Sequence, residues 1–550
     1  RRCDALVAAG LLLGDRPMEG RPAVVRFAHT LTHEVVYSLI GPGSLPAHHF
    51  AVAEALAANA TRFGRPPSHA ELARHYGAAG TAGQGPAAEH ALLAGHEAFR
   101  AGAWTDAARH FRLACDLTDD PIARAERLVA LGLAELRAEH FGPAEQALRA
   151  ARDLARLHGL ALVHADAVLG LVGRAGRGAA IDASDEERLE LLRTAIRHVD
   201  RSPPSEADQR RWALVMSDLE RELAFTMLLV DNPGERTRLL ERAVERLRAL
   251  EPPDPAALAR VLLGSRYAKL APDRLVDRLA DTAEVLQLGP QAVGQENLLA
   301  AYCYRAEDLL RAGRYTEAED ALEDAEFVAR RYPDPYWTWA LSGWRVVTAI
   351  IAGDLDAAED VALRTAAMRP GVAEAAAAFA VNLATIRLYQ GRPEELIDPL
   401  HASAARHPEI PLYRAVLAQA LAQDGRHAEA GEILAAFADR DFAALPHDTN
   451  RFIGLVTLGH VAADVGDVAA AARLSELLAP YGAPWSLVNV YGAGGGTWGP
   501  AVHACARLAA LLGDVTLADR LFHRALALTA DAPVERARVE AHRAATRVRK

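Results

Sequence analysis

The chain has 550 residues, too many for one compact core, and 51% are hydrophobic but only 6% aromatic, with Ala and Leu dominant. Ala and Leu are the best helix formers and small Ala lets helices approach closely, so this composition favours stacked helices. With 61 basic against 72 acidic residues the net charge is −11, which argues against a surface built mainly to hold nucleic acid.

The cations are almost all arginine, Lys269 and Lys550 being the only lysines, a bias that fits a GC-rich bacterial genome. Cys3, Cys115, Cys303 and Cys505 lie far apart without metal-ligand spacing and read as reduced thiols of a cytoplasmic protein. No apolar run is long enough for a membrane span, and no signal peptide opens the chain. The start Arg1-Arg2-Cys3, without Met, reads as a cut from a longer protein.

Residues 1–60 differ from the rest of the chain. Cys3–Leu13 reads as an apolar helix, Asp15–Arg21 as a turn, Ala23–Phe27 as a short strand, and Thr30–Ile40 and Pro46–Asn59 as helices. Helix, hairpin, helix is the order of a winged-helix end. Residues 61–85 read as a connecting helix.

A repeat begins near residue 86 and runs to 160. Gly95, Gly102, Trp104, Ala107, Phe111 and Ala114 place a small residue in a first helix, a turn glycine, an aromatic two residues on, and Ala where two helices touch. This is the tetratricopeptide frame: the glycine accepts positive φ between antiparallel helices and the aromatic fills the space between them. Gly132, Phe141, Ala144 and Leu148 repeat it with Glu139 in the turn. Residues 161–290 lack in-frame turn glycines and read as divergent helical repeats, with helices such as Leu239–Leu250 and Arg274–Leu288 and loops at Gly170–Asp185 and Ser202–Ser205. The frame returns over 291–535 at Gly313/Tyr315/Ala318, Gly353/Leu355/Ala358, Gly391/Pro393/Leu396, Gly425/His427/Ala430, Gly466/Val468/Ala471 and Gly513/Val515/Ala518. Their spacing lies at or above the ~34-residue tetratricopeptide period. The expected fold is therefore all-α, a tetratricopeptide-like helical-hairpin solenoid, or superhelix, with a small N-terminal winged-helix-like segment. Residues 536–550 form a basic tail, read as a solvated last helix or a link to another domain.

Four stretches carry a resemblance. Arg26-Phe-Ala-His29-Thr-Leu-Thr-His33-Glu34-Val-Val-Tyr37, Ala70–Ala79, Asp441–Asp448 and Gly492–Pro500 resemble segments of large bacterial LuxR-type ATP-binding transcriptional regulators and related ATPase–cyclase proteins. In that family a P-loop ATPase precedes a winged helix and a long tetratricopeptide array. The resemblance implies a sensor arm that receives a small-molecule inducer or a protein partner and restrains an ATPase domain in cis. It also implies that His29 contacts the phosphate of ADP or ATP bound in the full-length protein. The family often has Asp after that His; here the next residue is Thr30.

The chain itself offers no P-loop, because neither lysine follows the glycine spacing that cradles phosphates, so we expect no enzyme and no cofactor in this segment. The run Gly492–Gly496 has no lysine and reads as a loop between repeats. His29, His33, Glu34, His48 and His49 could be weighed as metal ligands, but Tyr37 stands where His-Glu-x-x-His needs a second His, and no metal is expected. First helices of tetratricopeptide repeats line a concave face. The frame puts Glu307, Arg311, Val347, Ile350, Thr385, Tyr389, Gln419 and Gln423 there, a partly apolar floor for a small molecule or a peptide. The aromatic patch Tyr336, Trp337, Trp339 and Trp344 reads first as core packing between helices.

Overall fold

The structure is a computed structural model. It describes residues 2–14, 25–58, 67–173, 185–202, 204–227, 233–269, 271–332, 334–445, 449–482, 484–490 and 493–548. The fold is an all-α solenoid of tetratricopeptide-like helical hairpins with, among the described residues, two short β-hairpins. The chain divides into two compact units, Arg1–Leu171 and Val172–Lys550.

The first unit opens with helix Arg2–Ala8. The apolar run read as one helix to Leu13 breaks here, because Gly10 takes a φ of +70° and ends the helix. Leu12–Gly14 (β1) then pairs antiparallel with Val25–Phe27 (β2), Leu12 opposite Phe27. The turn expected at Asp15–Arg21 lies outside the described residues. Helices Thr30–Ser38 and Leu45–Ala58 come next, and Tyr37 Oη and His49 Nε2 bond at 2.7 Å.

The repeats obey the local rules on which they were read. Gly102, Gly313, Gly353, Gly391, Gly425, Gly466 and Gly513 all sit at positive φ. In the first two repeats the small residue of the first helix admits a large one from the second. A Cβ on Gly95 would lie 2.5 Å from Phe111 Cδ1, and one on Gly132 2.5 Å from Leu148 Cγ. Gly170, read as a loop residue, instead belongs to helix Ala161–Val172, where its bare Cα accommodates the same Leu148; residues 174–184 lie outside the described residues.

Glu139 occupies the turn slot at a φ of 60°, a conformation that costs a non-glycine residue about 1 kcal/mol. Glycine regains that strain but adds freedom to the unfolded chain. Glu139→Gly is therefore expected to stabilise the first unit by about 0.5 kcal/mol in chemical denaturation. A loss of stability would mean that contacts of the Glu139 side chain outweigh the strain.

In the second unit, helices Asp185–Asp200, Gln209–Thr226, Pro233–Arg248, Pro255–Ser265 and Leu275–Gln287 fill the region without turn glycines. Ion pairs to a buried carboxylate join two of them, Glu220 receiving Arg246 at 2.7 Å and Arg242 at 2.9 Å. The later repeats run from Gln295–Arg311 to Val515–Leu528. Their core holds Trp344 and Trp339 at 0% and 1% exposure, with Tyr336 and Trp337 also buried, so the aromatic patch is packing.

The glycine run departs from its reading as a loop over 493–496, Gly492 lying outside the described residues. Trp485–Val490 (β3) and Ala493–Pro500 (β4) form an antiparallel hairpin with two register irregularities, and every residue of β4 is buried. Helix Ala501–Leu511 follows directly, Asp514 caps helix Val515–Leu528, and the last helix is Pro533–Val548. No helix among the described residues is long and apolar enough to cross a membrane.

Candidate functional site

The first helices of the later repeats, Gln295–Arg311, Pro335–Ala352, Ala373–Gln390 and Thr449–Val465, all contact the β3–β4 hairpin. An isolated two-stranded ribbon is marginal in water, with main-chain groups open along both edges. Here side chains of the repeats meet those groups. Arg311 Nη2 donates to Leu487 O at 3.0 Å, and Asn382 Nδ2 donates to Gly495 O at 2.7 Å. Arg311 is itself held by Glu307, whose second oxygen takes Arg266 at 2.6 Å. Burial would raise the Glu307 carboxyl, but Arg266 and Arg311 hold it below the usual range, so it stays ionised.

The glycines of β4 are required by contact. A Cβ on Gly494 would lie 2.8 Å from Gly343 O and from Val347 Cγ2. One on Gly496 would run into Thr385 Oγ1. Gly343 completes the notch from the helix side: a Cβ there would lie 3.2 Å from Gly494 N. The groove at this level is thus one bare backbone wide. Tryptophans close the strands. Trp498 Nε1 donates to Gln419 Oε1 at 2.7 Å, and Trp485 meets Tyr315 edge-to-face at 5.3 Å.

Of the eight residues placed on the concave face by spacing, Arg311, Val347, Thr385 and Gln419 touch this hairpin. Glu307 positions Arg311. Tyr389 lies farther along and donates to Glu535 Oε2 at 2.9 Å. Ile350 packs instead against Val346, Ala358 and Ile386 between helices, and Gln423 is exposed. His29 belongs to the first unit, where it is exposed at the N-cap of Thr30–Ser38 with no side-chain capping bond. Among the described residues no group of three or more His, Cys, Asp or Glu is arranged to hold a metal ion.

Asn382 was not singled out by spacing, although it lies three residues before Thr385 on the same helix face. Asn382→Ala leaves the buried Gly495 carbonyl without its donor, and a loss of about 1–3 kcal/mol is expected. Equal urea midpoints for variant and wild type would remove Asn382 from the site.

A buried polar layer lies beside the hairpin. Glu535 accepts from Tyr389, from Arg538 at 2.7 Å and from His503 Nδ1 at 2.7 Å. The basic stretch read as a solvated tail therefore contributes buried groups, because its helix brings Glu535, Arg538 and His542 against Ala501–Leu511. Burial would raise Glu535, but Arg538 and the His503 hydrogen bond hold it below the usual carboxylate range. A carboxylate only accepts, so His503 Nδ1 carries a proton. His503 Nε2, 2.9 Å from His542 Nδ1, then accepts from it. Arg507 Nη1 lies 3.1 Å from His460 Nδ1, so that nitrogen accepts, and the buried His460 Nε2 has no hydrogen-bond partner among the described residues. Arg507 also pairs with Asp464. All three histidines are held below their ordinary value, by burial first and then by neighbouring cations, with His542 pushed down to about 2.

No family model matches the chain, and no curated protein matches it in sequence. Among solved structures it is similar to the Signal Transduction ATPase with Numerous Domains protein with a tetratricopeptide repeat sensor from Pyrococcus horikoshii, at 16% identity and a TM-score of 0.41. That match covers 70% of this chain and 55% of the other, so the chain spans little more than half the length of that protein. Yeast Tom70 is similar at 15% identity and a TM-score of 0.32, over 85% of this chain and 96% of Tom70. Cut9–Hcn1 of the APC/C is similar at 16% identity and a TM-score of 0.35, over 83% of this chain and 90% of that one.

Proposed function

We propose that this chain is the partner-sensing repeat region of a cytoplasmic bacterial signal-transducing ATPase of the transcriptional-regulator type. The observation that carries the sensing role is the groove of the later repeats, where Arg311 and Asn382 donate to the main chain of an extended segment. Donors aimed at carbonyls suit a polypeptide, since main-chain bonds supply affinity and side-chain slots supply choice. A protein partner is therefore favoured over a small-molecule inducer. The regulator role rests on the motif around His29 and Tyr37, which resembles the winged-helix end of such ATPases. In this reading the ATPase domain lies in cis and His29, at a helix start, meets the phosphate of its nucleotide. The repeat region neither hydrolyses ATP nor binds nucleic acid directly.

The test is the intact mass of the native polypeptide. A mass well above 59.0 kDa, with a P-loop peptide ahead of Arg1, is expected. A nucleotide-cyclase sequence there would assign the same arm to a cyclase. A mass of 59.0 kDa would leave a free-standing repeat scaffold and remove the nucleotide contact of His29.

A further inference from the structure

We propose that the concave groove of the second unit is a binding site for an extended glycine-rich strand closed by tryptophan, and that β3–β4 is the chain's own occupant, exchanged for a partner strand of the same chemistry. The inference deepens the sensing role above and rests on its polypeptide-binding part, not on the ATPase.

Three features define what the groove accepts. Its donors, Arg311 and Asn382, reach carbonyls of both strands, so it reads extended backbone. Its narrow level, formed by Gly343, Val347 and Thr385, rejects any side chain at the positions of Gly494 and Gly496. Its far end takes one indole, fixed by Gln419. A segment of the pattern Ala-Gly-Gly-Gly-Thr-Trp, as in residues 493–498, meets the Asn382 donor, the narrow level and the indole slot, and leaves Arg311 to the Leu487 carbonyl of β3. Few sequences do, because most residues carry a Cβ that the narrow level cannot admit.

The hairpin is also set apart from the repeats it fills. It interrupts the succession of helices between Val468–Leu478 and Ala501–Leu511. Gly482, at a φ of 69°, precedes it, and Gly499, at 78°, lies at the end of β4 before Pro500. Gln295–Arg311 packs on its own second helix Tyr315–Ala329 and Pro335–Ala352 on Leu355–Ala367, whereas Ala373–Gln390 packs on the hairpin more than on Glu394–Arg406. Pairing within the first two of these repeats therefore does not run through the hairpin. Yet Trp485 and Trp498 are buried in the surrounding cores, so an empty groove would expose a large apolar surface. The occupant therefore opens on its own only as a minor state, which an entering strand captures. The tether gives the resident hairpin an effective concentration on the order of mM, so a free peptide competes poorly with an intact hairpin.

The experiment uses the full 550-residue chain and a fluorescent peptide of residues 493–500. Gly496→Val prevents β4 from seating against Thr385. The peptide is expected to bind this variant at least tenfold more tightly than the wild type. The peptide with Val at the same position, or Ala in place of its tryptophan, is expected not to bind. Equal affinity for both proteins, or no binding to a variant with wild-type helicity, overturns the inference. Should the variant not fold, amide exchange in the wild type decides. Amides of 493–500 are expected to exchange at least tenfold faster than those of Leu412–Gln423. Exchange of both only on global unfolding overturns it. A wild-type dimer with exchanged hairpins, seen by sedimentation and mixed-isotope cross-linking, would name a second copy as the occupant and overturn the partner form. Peptide binding with a native mass of 59.0 kDa keeps the groove and removes the ATPase reading; the reverse pair of results removes the groove alone.

Discussion

Below about pH 6.5 the second unit is expected to lose up to about 4 kcal/mol of stability per pH unit, through His460, His503 and His542. All three are held below their ordinary value of 6.5 in the folded chain, His542 down to about 2. Each is neutral when folded while its unfolded counterpart takes up a proton. The unfolded state then binds more protons, so stability rises with pH in this window. The contribution is complete above 6.5 and is lost as pH falls toward the folded values. Each group adds a slope of about 1.4 kcal/mol per unit.

The cause is geometric. His503 can donate to Glu535 and accept from His542 only while its own imidazole is neutral, and Arg507 faces His460 with its own positive charge. Arg538 adds a further cation, with Asp464 and Glu535 as the facing carboxylates and Tyr389 as the facing phenol. Glu222, Glu374 and Asp308, which burial raises, act in the opposite sense, so the test is a difference. His542→Gln should remove about 1.4 kcal/mol per pH unit of slope between pH 6 and 5 in urea titrations. An unchanged slope would mean that His542 does not stay neutral in the folded chain. Acid loosening of this layer is expected to speed amide exchange in the adjoining hairpin.

Glu535→Ala is expected to cost about 3 kcal/mol, near the lower end for breaking a buried ion pair because Arg538 retains some access to water. Glu535 joins Ala373–Gln390 through Tyr389, Ala501–Leu511 through His503, and its own helix through Arg538. It also lies against Gly499, where a Cβ would collide with its carboxylate. Removing it leaves a half-buried hydroxyl, a buried imidazole and a half-buried guanidinium facing a void. Glu535→Gln keeps the volume and an acceptor oxygen but loses the charge, and should cost roughly half as much. Tyr389→Phe removes one neutral donor and should cost about 1 kcal/mol. Denaturant midpoints check the order. A Gln variant as unstable as the Ala variant would place the whole effect in charge, and a harmless Ala variant would remove Glu535 as the hub.

The turn frame was legible because its rules are local. Positive φ at Gly313 or Gly425 arises from two helices reversing over a few residues, and Ala318 or Phe111 from their spacing along those helices. The same locality accounts for Glu139, which keeps the turn conformation without the glycine. The hairpin was harder to read because glycine weakens a strand pattern and the surrounding chain is helical. A signal was present: Trp485-Ser-Leu-Val-Asn-Val is rich in aromatic and β-branched residues, and only Tyr491-Gly492 separates it from β4.

The sequence by itself determined the helices, their turns and the faces that pair within each repeat, since helical periodicity and positive φ are settled over one or two turns of chain. It also pointed to Arg311, Val347, Thr385 and Gln419 as neighbours on one face. Only the tertiary structure decided what fills that face. Asn382 meets Gly495 across 113 residues and Tyr389 meets Glu535 across 146, and such contacts are selected by packing many helices together. No local period records them, because each partner satisfies its own helix or strand equally well without the other.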